Sequence, residues 1–531
     1  MSLKDLVSKR ILDDILGPLF KLGEWRVLVL DQLSTSIVSS CCRMHDVMSK
    51  GITLVEGLEK SKEPQLAREA IYIMWPSEES LTKMLMDFDE SFRVYKAAHV
   101  FLLDRLPPVL VTKLQQSPAK KYIRSLKESY IGFLPKESRV FTLNFPDSFR
   151  LFFSPGSAGK GEMKTRIADQ LATLCAFLGE FPTIRCNKAV AGVEDIAHEL
   201  YKRLEDFKMQ SPSFATDEGK NKSELIILDR GFDVVSPLVH ELTYQAMVYD
   251  LLGIKRDVYS YEATTEGGGK HSREVILDES DPLWVELRHK FISDVIGEVR
   301  EMVKGFADSK SKSPTASYDM SVKKLHQMIK EVPQYQKELS KLARHFSLAE
   351  TCDKKLKAGM FDLCKAEQDL ATGESETGEK IDSAMNLTTP ILFDRKIGVY
   401  EKVRLMMLQL LFSEGEAKEG FAKLIQRVEI PPKERSSILN LACLGHPSVE
   451  GREGRGNGIE EQSQRAEEEG EGRRREIRRL SLDTHHSRHH GVCHRGEAGY
   501  ELLSRAVTAS WLLASFLHLH PPRPSRSECP Q

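Results

Sequence analysis

The stretch Trp25-Arg-Val-Leu-Val-Leu-Asp31 decides the fold class of this 531-residue chain. It is a short apolar run that ends on a carboxylate, which is typical of a strand buried on both faces of a parallel sheet. Residues 3–16, before it, carry apolar side chains at helical spacing. Three more short apolar runs follow, separated by helix-like segments, at residues 52–55, 70–74 and 97–103. Strands and helices in alternation predict a parallel α/β domain over residues 1–130.

Three further segments follow this first domain. Residues 131–241 again combine strand-like stretches, at 139–143 and 224–228, with helical patterns, which predicts a second α/β domain. Residues 242–445 have helical periodicity in segment after segment, which predicts a mostly helical domain. Residues 446–531 contain no lysine, thirteen arginines and eight of the 16 histidines, and no regular period organises their first half. We therefore expect a disordered, low-complexity tail.

The overall composition excludes several classes of protein. Lys+Arg 76 against Asp+Glu 78 gives a net charge of −2, so the basic surplus of a nucleic-acid-binding protein is absent. The 9 cysteines have no Cys-x-x-Cys spacing, which argues against a structural zinc site and a disulfide framework. The first ten residues are too charged for a signal peptide, and the longest apolar runs are shorter than a membrane span. We expect a cytoplasmic protein without a bound metal.

Two motifs could carry chemistry. The segment 154–161 contains Gly159-Lys160, but its glycine spacing does not match a phosphate-binding loop. Asp229-Arg-Gly-Phe-Asp233 follows a strand, where α/β folds place ligand sites. It is interpreted either as a nucleotide-dependent or acid–base site, or as a structural corner with Arg230 paired to an acid and Gly231 at positive φ. Because no nucleophile elbow or metalloprotease motif accompanies it, we favour the structural corner.

A proline separates two helical patterns around residues 320–350. Pro333 is expected to begin a helix or to bend the pair into a hairpin. The helix after it has an apolar face beside a basic one, formed by Leu339, Leu342 and Phe346 and by Lys337, Lys341 and Arg344. Two interpretations stay open: a hairpin packed on its own domain, or a projecting hairpin whose basic flanks dock acidic helices of a partner.

Eight stretches of the chain resemble segments of one known family. Four lie in the first domain: Glu24-Trp-Arg-Val-Leu-Val-Leu-Asp-Gln-Leu-Ser34, Ser39-Ser-Cys-Cys-Arg-Met44, Gly51-Ile-Thr-Leu-Val-Glu56 and Tyr95-Lys-Ala-Ala-His-Val-Phe101. Four lie further along: Leu228-Asp-Arg-Gly-Phe-Asp233, His240-Glu-Leu-Thr-Tyr-Gln-Ala-Met247, Pro333-Gln-Tyr-Gln-Lys-Glu-Leu339 and Glu367-Gln-Asp-Leu-Ala371. Together they resemble the SM (Sec/unc-18) family, and most closely the unc-18 type, the syntaxin-binding proteins of exocytosis. The similarity runs in order from about residue 1 to 445.

This resemblance implies a three-domain arch of two α/β domains and a helical third domain with a projecting hairpin. Its central cavity would hold closed syntaxin, and the outer face of the first domain would bind the syntaxin N-terminal peptide. The hairpin would template SNARE assembly, and the protein would not be an enzyme and would need no cofactor. The implied partners are a plasma-membrane syntaxin, a vesicle SNARE and the assembled SNARE bundle, so the protein would reach the plasma membrane only through syntaxin. An SM protein of an internal membrane is the alternative, against which the exocytic-type first domain argues.

The resemblance also assigns residues by position. The implied syntaxin-facing residues are Asp31, Arg43, Glu56 and Lys60, of which Asp31 is expected to be an exposed carboxylate. The implied N-peptide pocket is lined by Val111 and Glu128. The implied SNARE-binding hairpin has Pro333 as its hinge and Leu342 and Phe346 as contacts.

Three departures from the family pattern qualify these assignments. Arg43 stands where relatives often have Lys, which keeps the charge but changes its geometry. Val111 stands where relatives commonly have a large aromatic residue. Residues 446–531 do not resemble the family's returning strands, which predicts an open edge in the second sheet.

In addition, Ser311 and Ser313 lie in a Ser/Lys-rich stretch that is expected to be accessible to kinases.

Overall fold

The computed structural model describes residues 2–154, 157–187, 192–215, 223–254, 257–264, 270–308, 336–412, 418–441 and 516–518. The chain divides into two compact units. The first unit comprises Met1–Asp229 and Trp511–Gln531, and the second comprises Arg230–Ser510. The predicted domain 1–130 and residues 131–229 of the predicted second domain therefore belong to the first unit, whereas residues 230–241 belong to the second.

A five-stranded parallel sheet with the order β2-β1-β3-β4-β5 forms the centre of the first unit. Its strands are β1 (Arg26–Leu30), β2 (Ile52–Gly57), β3 (Gln65–Met74), β4 (Tyr95–Leu102) and β5 (Ile123–Glu128). Alternate residues of β1 pack into two different cores, Leu28 and Leu30 into one and Val27 and Val29 into the other. The sequence prediction of a strand buried on both faces is confirmed.

Helices connect these strands and begin at residues suited to that position. They are α1 (Leu3–Lys9), which continues as a π-helix at Arg10–Leu16, α2 (Gln32–Cys41), α3 (Met44–Ser49), α4 (Glu78–Met86) and α5 (Pro108–Gln116). Ser2 and Asp5 form a capping box for α1, and Ser77 accepts a hydrogen bond from the Ser80 N–H at the start of α4. These caps fix where α1 and α4 begin.

A charged cluster lies on the first sheet, around Glu69 of β3. The Glu69 carboxylate lies 3.1 Å from His99 Nε2, 3.4 Å from Arg26 Nε and 2.5 Å from Arg124 Nη1. The other ring nitrogen of His99 lies 2.9 Å from the Ser125 hydroxyl. The cluster therefore joins side chains of β1, β3, β4 and β5, which are already joined by backbone hydrogen bonds.

The second α/β segment of the first unit contains an antiparallel pair and a small sheet. The pair is β6 (Leu134–Glu137) with β7 (Val140–Thr142), so the strand-like stretch 139–143 belongs to a hairpin and not to the parallel sheet. Parallel strands β8 (Thr183–Cys186) and β9 (Glu224–Ile227) form the sheet. The helices of the segment are α6 (Ser148–Phe153), α7 (Lys160–Leu178) and α8 (Val193–Gln210).

Gly132, in the segment before β6, lies in close contact with α7. Gln170 of α7 donates to the Gly132 carbonyl over 2.7 Å, and the Gly132 N–H donates to the Thr173 hydroxyl over 3.2 Å. A Cβ at residue 132 would lie 2.8 Å from both Thr173 Oγ1 and a ring carbon of Trp75. Only glycine fits this contact without displacing its neighbours.

The second unit is mostly helical. Its helices are α9 (Tyr244–Leu251), α10 (Pro282–Leu287), α11 (Ile292–Asp308), α12 (Gln336–Lys355), α13 (Phe361–Thr372), α14 (Ala384–Leu392), α15 (Val399–Phe412), α16 (Lys418–Arg427) and α17 (Pro432–Leu439). An antiparallel hairpin of β10 (Val258–Thr264) and β11 (Lys270–Ile276) interrupts them, which the sequence prediction missed. A π-helix at Leu356–Met360 joins α12 to α13, and Gly359 within it has a φ of 132°.

The short strand β12 (Phe516–His518) pairs antiparallel with β9, opposite β8. Three residues of the predicted tail therefore pair with this edge of the second sheet, and the expectation of an open edge beyond them stays a prediction. The rest of the predicted tail lies outside the described residues. Two parallel-sheet α/β segments followed by a mostly helical segment confirm the predicted fold class, whereas the domain boundaries at 130, 241 and 445 stay predictions.

The Asp229–Asp233 motif forms a tight corner after β9. The Arg230 guanidinium donates to the Asp233 carbonyl over 2.6 Å, and one Asp233 oxygen accepts from the N–H groups of Val235 and Ser236. Gly231 does not have the positive φ expected for it. These hydrogen bonds favour the structural corner over a ligand site, because the Asp233 carboxylate holds its own backbone.

Candidate protein-binding site

Asp31 is a helix cap and is only 6% exposed. One carboxylate oxygen accepts from the Ser34 N–H over 2.8 Å and from the Ser34 hydroxyl over 2.7 Å, and the other accepts from the Trp75 N–H over 2.6 Å. This corrects the expectation of an exposed carboxylate, since both oxygens hold α2 against β3. The sequence contained a signal for this role, because an Asp directly before an apolar-periodic run is a typical N-cap.

Glu56 and Lys60 lie at the carboxyl end of β2, an edge strand of the first sheet. Glu56 is half-buried beside Val29, which in turn lies beside Tyr72 on the same sheet face. The hydroxyl of the buried Tyr95 donates a hydrogen bond to the Glu56 carboxylate. Lys60 is exposed in the turn that follows. Glu56 is therefore an anion held by a hydrogen bond, and Lys60 is an exposed cation.

A buried ion pair holds the loop that follows Lys60. Lys62 Nζ lies 2.9 Å from the Asp87 carboxylate and donates to the Leu58 carbonyl over 3.2 Å. The Tyr72 hydroxyl donates to the same carboxylate over 2.8 Å. Burial raises the pKa of Asp87, and the hydrogen bonds from Lys62 and Tyr72 oppose that rise. Sequence reasoning missed Lys62, because its partner lies 25 positions away.

Arg43 is exposed directly before α3, and exposed apolar side chains lie on that helix and on the neighbouring segments of the first sheet. Met44 and Met48 of α3 are 54% and 50% exposed, and Trp25 before β1 is 56% exposed. Gly51 links them, because its N–H donates to the Met48 carbonyl and its carbonyl accepts from the N–H of Arg26. We call this group, together with Phe20 and Leu54, the Arg43 surface. A cation among flexible apolar side chains suits an acidic, partly apolar protein partner.

Val111 and Glu128 lie at a second place on the first unit. Glu128, at the end of β5, accepts from the Leu106 N–H over 3.2 Å and from the Tyr130 hydroxyl over 2.6 Å. Leu106 lies two residues before α5, on which Val111 is half-buried against the core. Burial raises the pKa of neighbouring Asp104 to about 7, with the Asp169 carboxylate adding to the rise. The structure thus links the segments that carry Val111 and Glu128 through the Leu106 N–H.

Leu342 and Phe346 of α12 are core residues, 5% and 4% exposed. They pack in one cluster with residues of α9, α10 and α11. Between them, the fully buried His345 lies 3.0 Å from the Tyr244 hydroxyl and 3.1 Å from the Asp281 carboxylate. This burial corrects the expectation that both side chains face a partner in this conformation. Pro333, Ser311 and Ser313 lie outside the described residues.

His240, Cys364 and Glu367 are the one group of potential metal ligands found among the described residues, with donor atoms within 4.8 Å of one another. Glu367 already accepts from the His240 N–H over 2.8 Å, and its carboxylate lies 2.9 Å from His240 Nδ1. Burial raises the pKa of the Cys364 thiol to about 12, which disfavours the thiolate that a metal requires. The group is better described as a hydrogen-bonded tie between residue 240 and α13.

Neighbouring charges complete this tie. Arg404 of α15 donates to the Asp250 carboxylate over 2.7 Å and to the Leu238 carbonyl over 2.9 Å. Asp250 also lies 3.8 Å from His240 Nε2. The described helices include none that is both long and apolar enough to cross a membrane.

Two α/β segments, a helical unit and a mixed charged and apolar surface define a scaffold that binds other proteins. Residues 26–477 match the Sec1 family, and the chain belongs to that family. Sec1-family proteins are non-enzymatic regulators that bind SNAREs, which agrees with the expectation of no enzymatic activity. The matched range continues past residue 445, where the sequence similarity was expected to end.

Relatives of known name support this assignment. The chain is 32% identical to "Protein transport protein sec1" of Dictyostelium discoideum, over 86% of this chain and 76% of that protein. It is 30% identical to "Protein transport Sec1b" of Arabidopsis thaliana, over 79% of this chain and 66% of that protein.

Solved structures show the same fold. A chain of the Unc18–syntaxin 1 complex from Monosiga brevicollis is 33% identical, with a TM-score of 0.76 over 86% of this chain and 81% of that one. The SM protein Vps45 in complex with the Qa SNARE Tlg2 is 17% identical, with a TM-score of 0.67 over 86% and 82% of the two chains. At that identity, Vps45 supports the fold alone.

Proposed function

We propose that this protein binds a plasma-membrane syntaxin in its closed form and regulates vesicle docking and fusion in exocytosis. The observation that carries the proposal is the likeness to a chain of the Unc18–syntaxin 1 complex, 33% identical with a TM-score of 0.76. Identity to Dictyostelium sec1 is 32%, against 25% to Dictyostelium Vps45, which favours the exocytic type over an SM protein of an internal membrane. The protein would reach the plasma membrane from the cytoplasm by binding syntaxin.

The contact with syntaxin involves the Arg43 surface together with Glu56 and Lys60. Arg43 and Lys60 are exposed cations, and Glu56 is a half-buried anion, so a partner with charges of both signs is favoured. The exposed methionines of α3 adapt to an apolar partner face. Asp31 contributes indirectly, because it caps α2, the helix that leads to Arg43.

Two further contacts complete the proposal. The syntaxin N-terminal peptide binds at Val111 and Glu128, where a small apolar side chain lies near a carboxylate. The helical unit binds the vesicle SNARE and the assembled SNARE bundle through the outer face of α12. Because Leu342 and Phe346 are buried, the half-exposed Lys341 and Arg344 are the residues of α12 suited to acidic SNARE helices.

The test is calorimetric titration of the purified full chain with the cytoplasmic domain of a plasma-membrane syntaxin. Arg43→Glu places a carboxylate opposite acidic partner groups, so we expect affinity to fall by about 1–3 kcal/mol, roughly five- to 150-fold. Arg395→Glu, which reverses an exposed arginine in the second unit, is the matched control and should bind as the parent does.

Two outcomes would contradict the proposal. A chain that does not bind any plasma-membrane syntaxin removes the function itself. Equal losses for Arg43→Glu and Arg395→Glu would mean that net charge, and not the Arg43 surface, controls association.

A further inference from the structure

We propose that Tyr95 is a positioning residue, whose buried hydroxyl orients the Glu56 carboxylate toward a cationic side chain of the partner. The inference rests on the proposed function, since Glu56 belongs to the surface assigned to syntaxin. It adds a residue that does not itself reach the partner, and it states the chemistry of the group that Glu56 recognises.

The geometry separates the two oxygens of Glu56. The Tyr95 hydroxyl donates to Oε2. Among the described residues, none donates a hydrogen bond to Oε1. Glu56 lies on an edge strand of the sheet and is only half-buried. One oxygen is therefore fixed from the protein side, and the other can accept a hydrogen bond from a lysine or arginine of the partner.

Tyr95 is suited to this role because its ring is closely packed among buried aromatic side chains. It is fully buried, with its ring centroid 6.2 Å from that of Tyr72 at an interplanar angle of 81° and 6.4 Å from that of Phe88. Burial and the Glu56 carboxylate raise the pKa of the Tyr95 hydroxyl, so it keeps its proton and remains a donor at any physiological pH. A rigid donor reduces the rotamer entropy that Glu56 loses when the partner binds.

Tyr72 provides the natural comparison. It is also fully buried in the same cluster, but its hydroxyl donates to Asp87, which Lys62 already neutralises. Removing either hydroxyl leaves one carboxylate with one hydrogen bond fewer. Only the Tyr95 hydroxyl acts on a residue of the proposed binding surface, so the two tyrosines separate positioning from general stability.

The experiment measures syntaxin affinity and dissociation rate for Tyr95→Phe and Tyr72→Phe in the full chain. We expect Tyr95→Phe to weaken binding about five- to tenfold, mainly through faster dissociation, because a charge-assisted hydrogen bond no longer holds Glu56. Tyr72→Phe should stay within about twofold of the parent although both variants lose stability. In a Glu56→Ala background, Tyr95→Phe should cause no further loss, since the group it orients is gone.

Each other outcome has one meaning. If Glu56→Ala weakens binding and Tyr95→Phe does not, the positioning role is wrong and the proposed function stands. If Tyr72→Phe weakens binding as much as Tyr95→Phe, the effect is one of stability, and the inference is overturned. If Glu56→Ala binds as the parent does, the inference fails while Arg43→Glu still decides the surface. A parent chain that does not bind syntaxin overturns both.

Discussion

Buried charge is held differently in the two units. In the first unit, Glu69 meets His99, Arg26 and Arg124 across strands that backbone hydrogen bonds already join. In the second unit, Glu367 of α13 meets His240, which lies 127 positions earlier, and no backbone ladder joins the two segments. Because helical backbone bonds stay within their own helix, only side chains connect one helix to the next.

The difference predicts where a lost polar contact is most costly. A sheet keeps its register through the backbone when one side chain of a cluster is removed. A helical unit has no such reserve, and a buried group left without its partner pays its full desolvation cost. Three substitutions sharpen or break this comparison.

The largest expected effect is that of Glu367→Ala. The change leaves the His240 N–H and ring without their acceptor and also opens a cavity, so we expect a loss of about 3–5 kcal/mol in the stability of the second unit. Chemical denaturation measures the loss, and hydrogen exchange of α9 and α13 locates it. Glu350→Ala, on the half-exposed face of α12, is the control and should cost less than about 1 kcal/mol. A Glu367→Ala protein as stable as this control would show that the tie is dispensable.

An intermediate effect is expected for Gly132→Ala in the first unit. Here the cause is steric, because the new Cβ would lie 2.8 Å from Thr173 Oγ1 and from the Trp75 ring. Overpacking of this kind costs about 1–3 kcal/mol. Thermal unfolding gives the magnitude, and Gly161→Ala, where a Cβ meets nothing within 4 Å, is the matched control. Equal behaviour of the two variants would mean that α7 can withdraw from residue 132 without cost.

The smallest effect is expected for His99. Burial lowers the pKa of His99, while Glu69 raises it and both Arg26 and Arg124 lower it. The unfolded chain therefore binds the extra proton first as the pH falls below about 6.5, and stability is lost in that window. We expect the parent to lose at most about 1 kcal/mol more than His99→Gln between pH 7.5 and 5.5. A steeper acid loss in His99→Gln than in the parent would reverse the sign of this argument.

Local patterns were predictable from the sequence, and distant pairings were not. The strand at Arg26–Leu30 and the Ser77 cap follow from a few neighbouring residues, and both are confirmed. The partner of His240 is not predictable in this way, because packing between helices brings it to Glu367. Asp31 shows an intermediate case. Its place at a strand end was predicted and its cap on α2 is a local pattern, whereas the contact of its second oxygen depends on the Trp75 N–H, 44 positions away.

The β10–β11 hairpin was missed for a different reason. Its first strand alternates in Val258-Tyr-Ser-Tyr-Glu-Ala, and a glycine run separates it from the second, which together are a hairpin signal. The surrounding helical periodicity outweighed that signal. A short period-two pattern followed by a glycine run therefore predicts a hairpin even inside a mostly helical segment.

The position of Gly359, between α12 and α13, has a mechanical consequence for the second unit. Helix α12 has 20 residues, so it is about 30 Å long. A rotation of about 10° at Gly359 would displace the far end of this arm by about 5 Å while moving residues next to the pivot by less than about 1 Å. Leu342 and Phe346 lie along the arm, so their burial opposes such a swing. If that packing were released, a small torsion at Gly359 would be amplified into a several-fold larger displacement of residues near 336.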